Sequence, residues 1–181
     1  MSHDTPSAAP SLTTERLCLR GHRLSDFDAY AAFYASERAT HIGGPYTPSR
    51  AWASFAADLG HWVLMGFGWW IVTDKGDPGS HPLGTVGLHC PPNHPEPEIG
   101  WTLFAGAEGK GFAHEAAAGV LAWGWQHRIA TSLVSYIAPA NARSIALAER
   151  LGAHLDAVAP KPAHAPDVLV YRHSVPAEVC S

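Results

Sequence analysis

A glycine-rich turn, Gly106-Ala107-Glu108-Gly109-Lys110-Gly111, runs straight into an alanine-rich segment, Phe112-Ala113-His114-Glu115-Ala116-Ala117-Ala118-Gly119. Residues of these types in this order can cradle an anion. Gly109 and Gly111 can take positive φ and let the backbone approach a ligand closely. The first N–H groups of a following helix have no intrahelical partner and carry its positive dipole end, which suits a pyrophosphate. Two common nucleotide motifs fail on their residues. A dinucleotide-binding G-x-G-x-x-G needs a third glycine where His114 stands, and an acid about 20 positions on. No Asp or Glu lies between Glu115 and Glu149. A P-loop needs Ser or Thr after Gly-Lys, whereas Gly109-Lys110 is followed by Gly111. A plain strand-to-helix turn is the remaining alternative.

The elements that must position this loop alternate along the chain. Residues 15–21 read as an opening strand, with Leu17 and Leu19 alternating against Arg16, Cys18 and Arg20. Ser25 is expected to cap a helix running to about residue 37, with Asp28 three positions on. A second helix is expected from Pro48 or Ser49, with Trp52, Phe55, Ala56, Leu59 and Val63 as its core-facing stripe. Strands follow at 69–73, 83–89 and 96–104, the last delivering the chain into the glycine loop. A helix over 112–127, a strand over 133–137, a helix over 141–151 ended by Gly152, and strands over 153–158 and 168–173 complete the order.

Composition bounds the function. At 181 residues the chain fits one domain and can bury roughly 70% of its unfolded surface. Residues 1–11 read as a disordered leader without the features of a secretory signal, 12–175 as the domain and 176–181 as a tail, in a cytoplasmic protein. No apolar run approaches the ~20 residues of a membrane span. Cys18, Cys90 and Cys180 are odd in number and scattered, as expected of reduced thiols. A net charge of −4 with only 12 Lys and Arg spread along the chain argues against nucleic acid as a partner. Among 12 histidines, His89 and His94 lie close to Cys90, but prolines interrupt the segment and no fourth ligand is near. No metal is expected.

Three motifs converge on one family. Glu108-Gly109-Lys110-Gly111-Phe112-Ala113 is similar to the acyl-CoA signature Q/R-x-x-G-x-G/A, with Glu in the first position. Asn141-Ala142-Arg143-Ser144 with Glu149-Arg150-Leu151-Gly152 resembles an N-x-x-S/A motif ending in E-x-L-G, and Asn141 alone would also serve as a helix cap. Glu98-Ile99-Gly100-Trp101-Thr102-Leu103 is similar to the strand before the cofactor loop in the RimJ/RimL-like branch, which acetylates ribosomal-protein N-termini. Together with the element order, these residues resemble the GNAT superfamily of N-acetyltransferases over about 12–173.

The resemblance implies an α/β (α+β) GNAT fold. Its sheet would be mixed and mostly antiparallel, of about six or seven strands with about four helices, and would splay in a V between 97–104 and 132–137. It implies acetyl-CoA as co-substrate and a primary amine, on a protein N-terminus or a small molecule, as acceptor. Trp101, Thr102 and Leu103 would pair with pantetheine, and an N–H near Leu103 would polarise the acetyl carbonyl. Glu108, Gly109, Lys110, Gly111, Phe112, Ala113 and His114 would hold the pyrophosphate, with Lys110 offsetting the charge of Glu108. Asn141 and Ser144 would complete the cofactor site.

Acylating an amine requires removing its proton, stabilising the carbonyl oxygen and protonating the departing thiolate. Glu98, a lone carboxylate on an apolar strand, is the candidate base, and a solvent-facing glutamate is its alternative reading. Ser144 is the candidate acid, because the tyrosine that many superfamily members carry falls on Ala148. Tyr136 is a further phenol. Ile42, Gly43, Gly44, Tyr46 and Trp70 would shape the acceptor site. A noncatalytic acyl-CoA-binding module is the alternative function. Strand 168–173, taken as an exposed edge, makes a homodimer an expectation.

Overall fold

The computed structural model describes residues 9–77 and 79–175. Most of the expected leader and all of the expected tail, with Cys180, lie outside these residues. Eight strands form one sheet in the order β1-β2-β3-β4-β5-β6-β8-β7. They are β1 (Leu12–Thr13), β2 (Leu17–Arg20), β3 (Trp69–Asp74), β4 (Gly84–His89), β5 (Glu98–Leu103), β6 (Leu133–Ile137), β7 (His154–Leu155) and β8 (Leu169–His173). Four α-helices accompany them: α1 (Phe27–Tyr34), α2 (Pro48–Met65), α3 (Phe112–Gln126) and α4 (Ala142–Arg150). Every neighbouring pair is antiparallel except β5 with β6. The two-residue strands β1 and β7 raise the count above the expected six or seven.

Side-chain alternation assigns the two faces. Leu17, Leu19, Trp70, Val72, Val86, Leu88 and Ile99 point to the side where α3 packs Ala116, Ala117 and Val120, forming the main core. On the other side, α1 and α2 meet around Tyr30, Phe33, Phe55 and Phe104. Glu98, Gly100 and Thr102 alternate with Ile99 and Trp101 and so face this second side.

Several sequence expectations change in the fold. All of β2 is buried, including Cys18 and Arg20, because the Arg20 guanidinium makes a bidentate pair with Asp26 at 2.7 and 2.8 Å. The Asp26 carboxylate also accepts from the Arg23 N–H at 2.8 Å. Ser25 therefore caps nothing: it lies inside a 3-10 turn, Leu24–Asp26, and α1 starts later, at Phe27. The buried residues of α2 are Ala51, Phe55, His61 and Trp62, while Trp52 and Val63 point outward. Its face is thus rotated by about one residue, which turns Asp58 inward. Strand β8 is paired on both sides, by β6 and β7. Among the described residues the sheet ends on this side at the short β7, so the expected edge pairing at 168–173 loses its basis. No described helix is long and apolar enough to cross a membrane.

Candidate active site

The sheet opens at one place. Parallel β5 and β6 share a single register pair, Glu98 with Val134, and none beyond it. The Val134 N–H donates to the Pro97 carbonyl at 3.0 Å. One step on, the Ser135 hydroxyl, not a backbone amide, reaches the Ile99 carbonyl at 2.8 Å. That hydroxyl also meets His173 Nε2 at 3.1 Å. The alternation that aims the Pro97 and Ile99 carbonyls at β6 aims the backbone of Trp101 and Leu103 into the opening. The splay expected between 97–104 and 132–137 is this gap. Ser135 closes its vertex, and nothing in its sequence context marks it for that part.

At the C-terminal end of β5 the glycine loop turns into α3 with the backbone conformations expected of it. Gly109 and Gly111 have φ of 74° and 79°, and nothing lies within 4 Å of where a Gly109 side chain would start. Helix α3 begins at Phe112 without a side-chain cap. Its first intrahelical bond runs from the Glu115 N–H to the Gly111 carbonyl at 3.1 Å, which leaves the N–H groups of Phe112, Ala113 and His114 without helical partners. The charge of Glu108 is met by an ion pair with Arg38, whereas Lys110 Nζ binds the Gly106 carbonyl at 2.8 Å. Arg38, from a 3-10 turn at Glu37–Ile42, also donates to the Leu103 carbonyl at 2.8 Å. It ties the end of β5 to the loop, and no motif in its surroundings marks it for that part. Arg16 anchors the other flank, binding Glu115 at 2.7 Å and the Lys110 carbonyl at 3.0 Å.

Asn141 caps α4, accepting from the Ser144 N–H at 3.2 Å. The Ser144 hydroxyl accepts from the Trp101 indole at 3.3 Å, so Ser144 meets β5 across the cleft and its O–H proton points elsewhere. Ala148 is fully buried against Ile137 and Tyr171, which leaves no room for a phenol at that position.

On the opposite face of β5, Glu98 is mostly covered, with its side chain 18% exposed. Desolvation pushes its carboxyl up to about 8, the Tyr136 backbone amide pulling it partly back. His94 Nδ1 lies 3.4 Å from Glu98 Oε2 but makes no hydrogen bond, and neither does the buried Tyr136 hydroxyl. Burial and then His164 lower the His94 pKa; burial, His61 and His94 bring His89 down to about 4. Glu98 is therefore a shielded acid among neutral imidazoles, not a solvent-facing glutamate. Donor atoms of His89, His94 and Glu98 lie within 4.8 Å of one another, the one such group among the described residues that a metal ion could bridge. Next along the strand, Gly100 makes room for Trp69, whose Cη2 would sit 2.5 Å from a Cβ there.

The loop expected to shape the acceptor site lies on this same side. Gly43 has φ 87°, and a Cβ on Gly44 would meet that of Ala39 at 2.4 Å. Tyr46 stacks on Tyr34 of α1 with ring centroids 4.8 Å apart and bonds the Ile42 carbonyl at 3.4 Å. Trp70 departs from expectation. It is fully buried against Trp62 and Trp123, with its indole N–H on the Pro10 carbonyl at 2.7 Å, and has no surface to offer an acceptor. Unforeseen residues stand near this side instead: Asp58 of α2, Tyr30 and Tyr34 of α1, and His22.

Comparison with known proteins agrees with this geometry. The family model for the acetyltransferase (GNAT) domain matches residues 16–154. An acetyltransferase from Agrobacterium tumefaciens str. C58 is 40% identical, with 92% of this chain and 95% of that one covered and a TM-score of 0.86. A protein from Bordetella pertussis assigned to the GnaT family of acetyltransferases is 26% identical over 92% of this chain and 100% of that one, with a TM-score of 0.74. The fold is shared with RimL, the ribosomal L7/L12 alpha-N-protein acetyltransferase, solved in complex with coenzyme A: 13% identity, 92% and 98% covered, TM-score 0.73. The chain belongs to the GNAT family of acetyltransferases.

Proposed function

We propose that this enzyme transfers the acetyl group of acetyl-CoA to a primary amine by direct attack, with both substrates bound together. The observation that carries the reading is the single Glu98–Val134 pair between β5 and β6. Past it, the strand leaves backbone groups of Trp101 and Leu103 for a pantetheine arm. The same strand leads into the unpartnered N–H groups at the start of α3, which suit the pyrophosphate. RimL, of the same fold, holds coenzyme A.

The residues divide the chemistry as follows. Gly109 to His114 hold the diphosphate through backbone amides, and Arg38 cancels the one acidic side chain in the loop. Glu98, acting through a water, takes the proton of the alkylammonium, its raised pKa matching a base that works near neutral pH. The amine nitrogen then attacks the thioester carbon, and the developing oxyanion is met by a backbone N–H facing the gap. The Trp101 N–H, three residues from Glu98, serves one thioester with that base better than the N–H near Leu103. As the C–N bond forms and the C–S bond breaks, the departing thiolate takes the Ser144 proton, and the second proton released by the nitrogen as it becomes an amide is relayed through water to restore the Ser144 O–H. No step is routed through a metal ion.

A thiol-release assay with acetyl-CoA, a panel of primary amines and N-terminal peptides tests the reading. Turnover that persists in a chelator is the expected result. Tight coenzyme A binding without turnover of any acceptor would instead favour an acyl-CoA-binding module.

A further inference from the structure

A second shielded carboxylate lies beside the acceptor side. The inward turn of α2 places Asp58 with its side chain 13% exposed, and its one hydrogen bond among the described residues comes from the Tyr30 hydroxyl at 3.1 Å. That hydroxyl also meets Ser54 Oγ at 2.9 Å. His22 Nε2 approaches Asp58 Oδ2 at 3.8 Å, and both ring nitrogens of this fully covered histidine lack a partner. Burial brings His22 down to about 4, so it gives Asp58 no positive charge at neutral pH. Burial also pushes Asp58 up to about 7, the Tyr30 bond opposing it.

The cluster contains acceptors looking for donors. Beside a carboxylate with one bond lie an imidazole whose nitrogens lack partners and, across the Tyr30 hydroxyl, a serine oxygen, with aromatic rings next to them. Tyr30 and Tyr34 are 4.5 Å apart by ring centroid, and Phe55 lies 5.2 Å from Tyr30. A group with several N–H donors and a positive charge satisfies all of these at once, through charge-assisted bonds and cation–π contact. A neutral or anionic group would leave the carboxylate desolvated and unpaired.

We infer that Asp58 binds a second cationic nitrogen of the acceptor, distinct from the amine that is acetylated. The separation follows from the sheet. Tyr34, packed on Tyr30, reaches Thr102, and Thr102 lies four residues from Glu98 on the same face of β5, about 13 Å at ~3.3 Å per residue. Along this path a nitrogen held at Asp58 is separated from the base at Glu98 by the Tyr30–Tyr34 pair and that length of strand. The favoured acceptors are amines with a cationic group on the order of 10 Å or more away, in a linear polyamine or in a peptide with a basic side chain a few residues from its N-terminus. This inference rests on the acetyl-transfer reading.

Matched acceptors test it on the full chain: spermidine against butylamine, and two N-terminal peptides that differ only in Arg or Gln at the fourth position. The wild-type enzyme is expected to prefer the cationic member of a pair by about tenfold or more in kcat/KM, the pair showing it identifying the source. In Asp58→Asn the ratio should fall to about one, and Asp58→Glu should restore part of it. Asp58→Leu, apolar on a buried helix face, gives the same readout if Asp58→Asn fails to bind coenzyme A. A wild-type ratio near one in both pairs, or a preference that survives in the Asn and Leu variants, overturns the inference while leaving acetyl transfer intact. Absence of turnover on every acceptor overturns the acetyl-transfer reading instead. Spermidine binding to the coenzyme A complex then decides the site: its loss in Asp58→Asn supports it, and undiminished binding refutes it.

Discussion

The two sides of β5 are built from different materials. The cofactor side is backbone: glycines at positive φ, uncapped N–H groups of α3, and strand amides left over where β6 turns away. The acceptor side is side chain: Glu98, His89, His94 and Tyr136 around one carboxylate, and Asp58, His22, Tyr30 and Ser54 around another. A backbone cradle must be contiguous, because successive amides have to converge on one diphosphate. A set of side chains has no such constraint, and here it draws on α1, α2, β4, β5, β6 and the loops that follow β2 and β4. In the proposed reading the exposed loop takes the cofactor and the shielded side chains meet the acceptor.

Changes on the two sides should separate cleanly. The largest effect is expected on the acceptor side. Glu98→Gln removes the base and should lower kcat by about 10²- to 10⁴-fold while coenzyme A affinity, measured by calorimetry, stays within about twofold. A loss of coenzyme A binding would join the two sides into one and break the comparison. Next comes the cradle. Gly111→Val forces a β-branched residue to φ 79°, a strain of about 1–3 kcal/mol, and should raise the coenzyme A dissociation constant about tenfold or more. Unchanged affinity would remove the loop from the site.

A smaller effect sharpens the picture. Arg38→Ala releases the Leu103 carbonyl and uncovers the Glu108 charge; both side chains of that pair are partly exposed, so coenzyme A affinity should weaken only about two- to fivefold. The smallest change is in stability. The Glu98 carboxyl, ordinarily near 4.5, stands at about 8 in the folded chain, so folding favours its protonated form. Ionising it costs stability progressively as pH rises from about 4.5 to 8, and the loss levels off above that. The melting-temperature difference between Glu98→Gln and wild type should therefore grow in favour of the variant over that window. A pH-independent difference would place Glu98 in water.

Legibility in the sequence followed the same division. The motif from Glu108 to Ala113, the cap at Asn141 and the strand at 98–103 were all readable, because each is local and fixed by backbone needs. The strands over 69–73, 83–89 and 133–137 were clear from their apolar runs. What escaped notice depended on partners far away in the chain. The alternation of β2 sets Arg20 apart from the apolar Leu17 and Leu19, yet Asp26 neutralises it inside the protein, and the same carboxylate takes the Arg23 amide, which leaves Ser25 within a turn. The α2 stripe was misplaced by about one residue because Trp52 and Val63 are apolar yet exposed, while Asp58 is polar yet turned inward. Trp70 was assigned to the acceptor although its face of β3 belongs to the core, and its neighbour Trp69 lies over Gly100. Nothing near Ser135 or Arg38 announces that one closes the strand vertex and the other braces the cofactor loop.

The pH dependence of kcat at saturating acetyl-CoA and acceptor, measured for wild type beside Glu98→Gln, tests the central claim most directly. The wild-type rate should rise with pH and level off above an inflection near 8, the pKa that burial gives Glu98, and the variant should be slow and lack that inflection. Equal rates with the same inflection in both proteins would contradict Glu98 as the base.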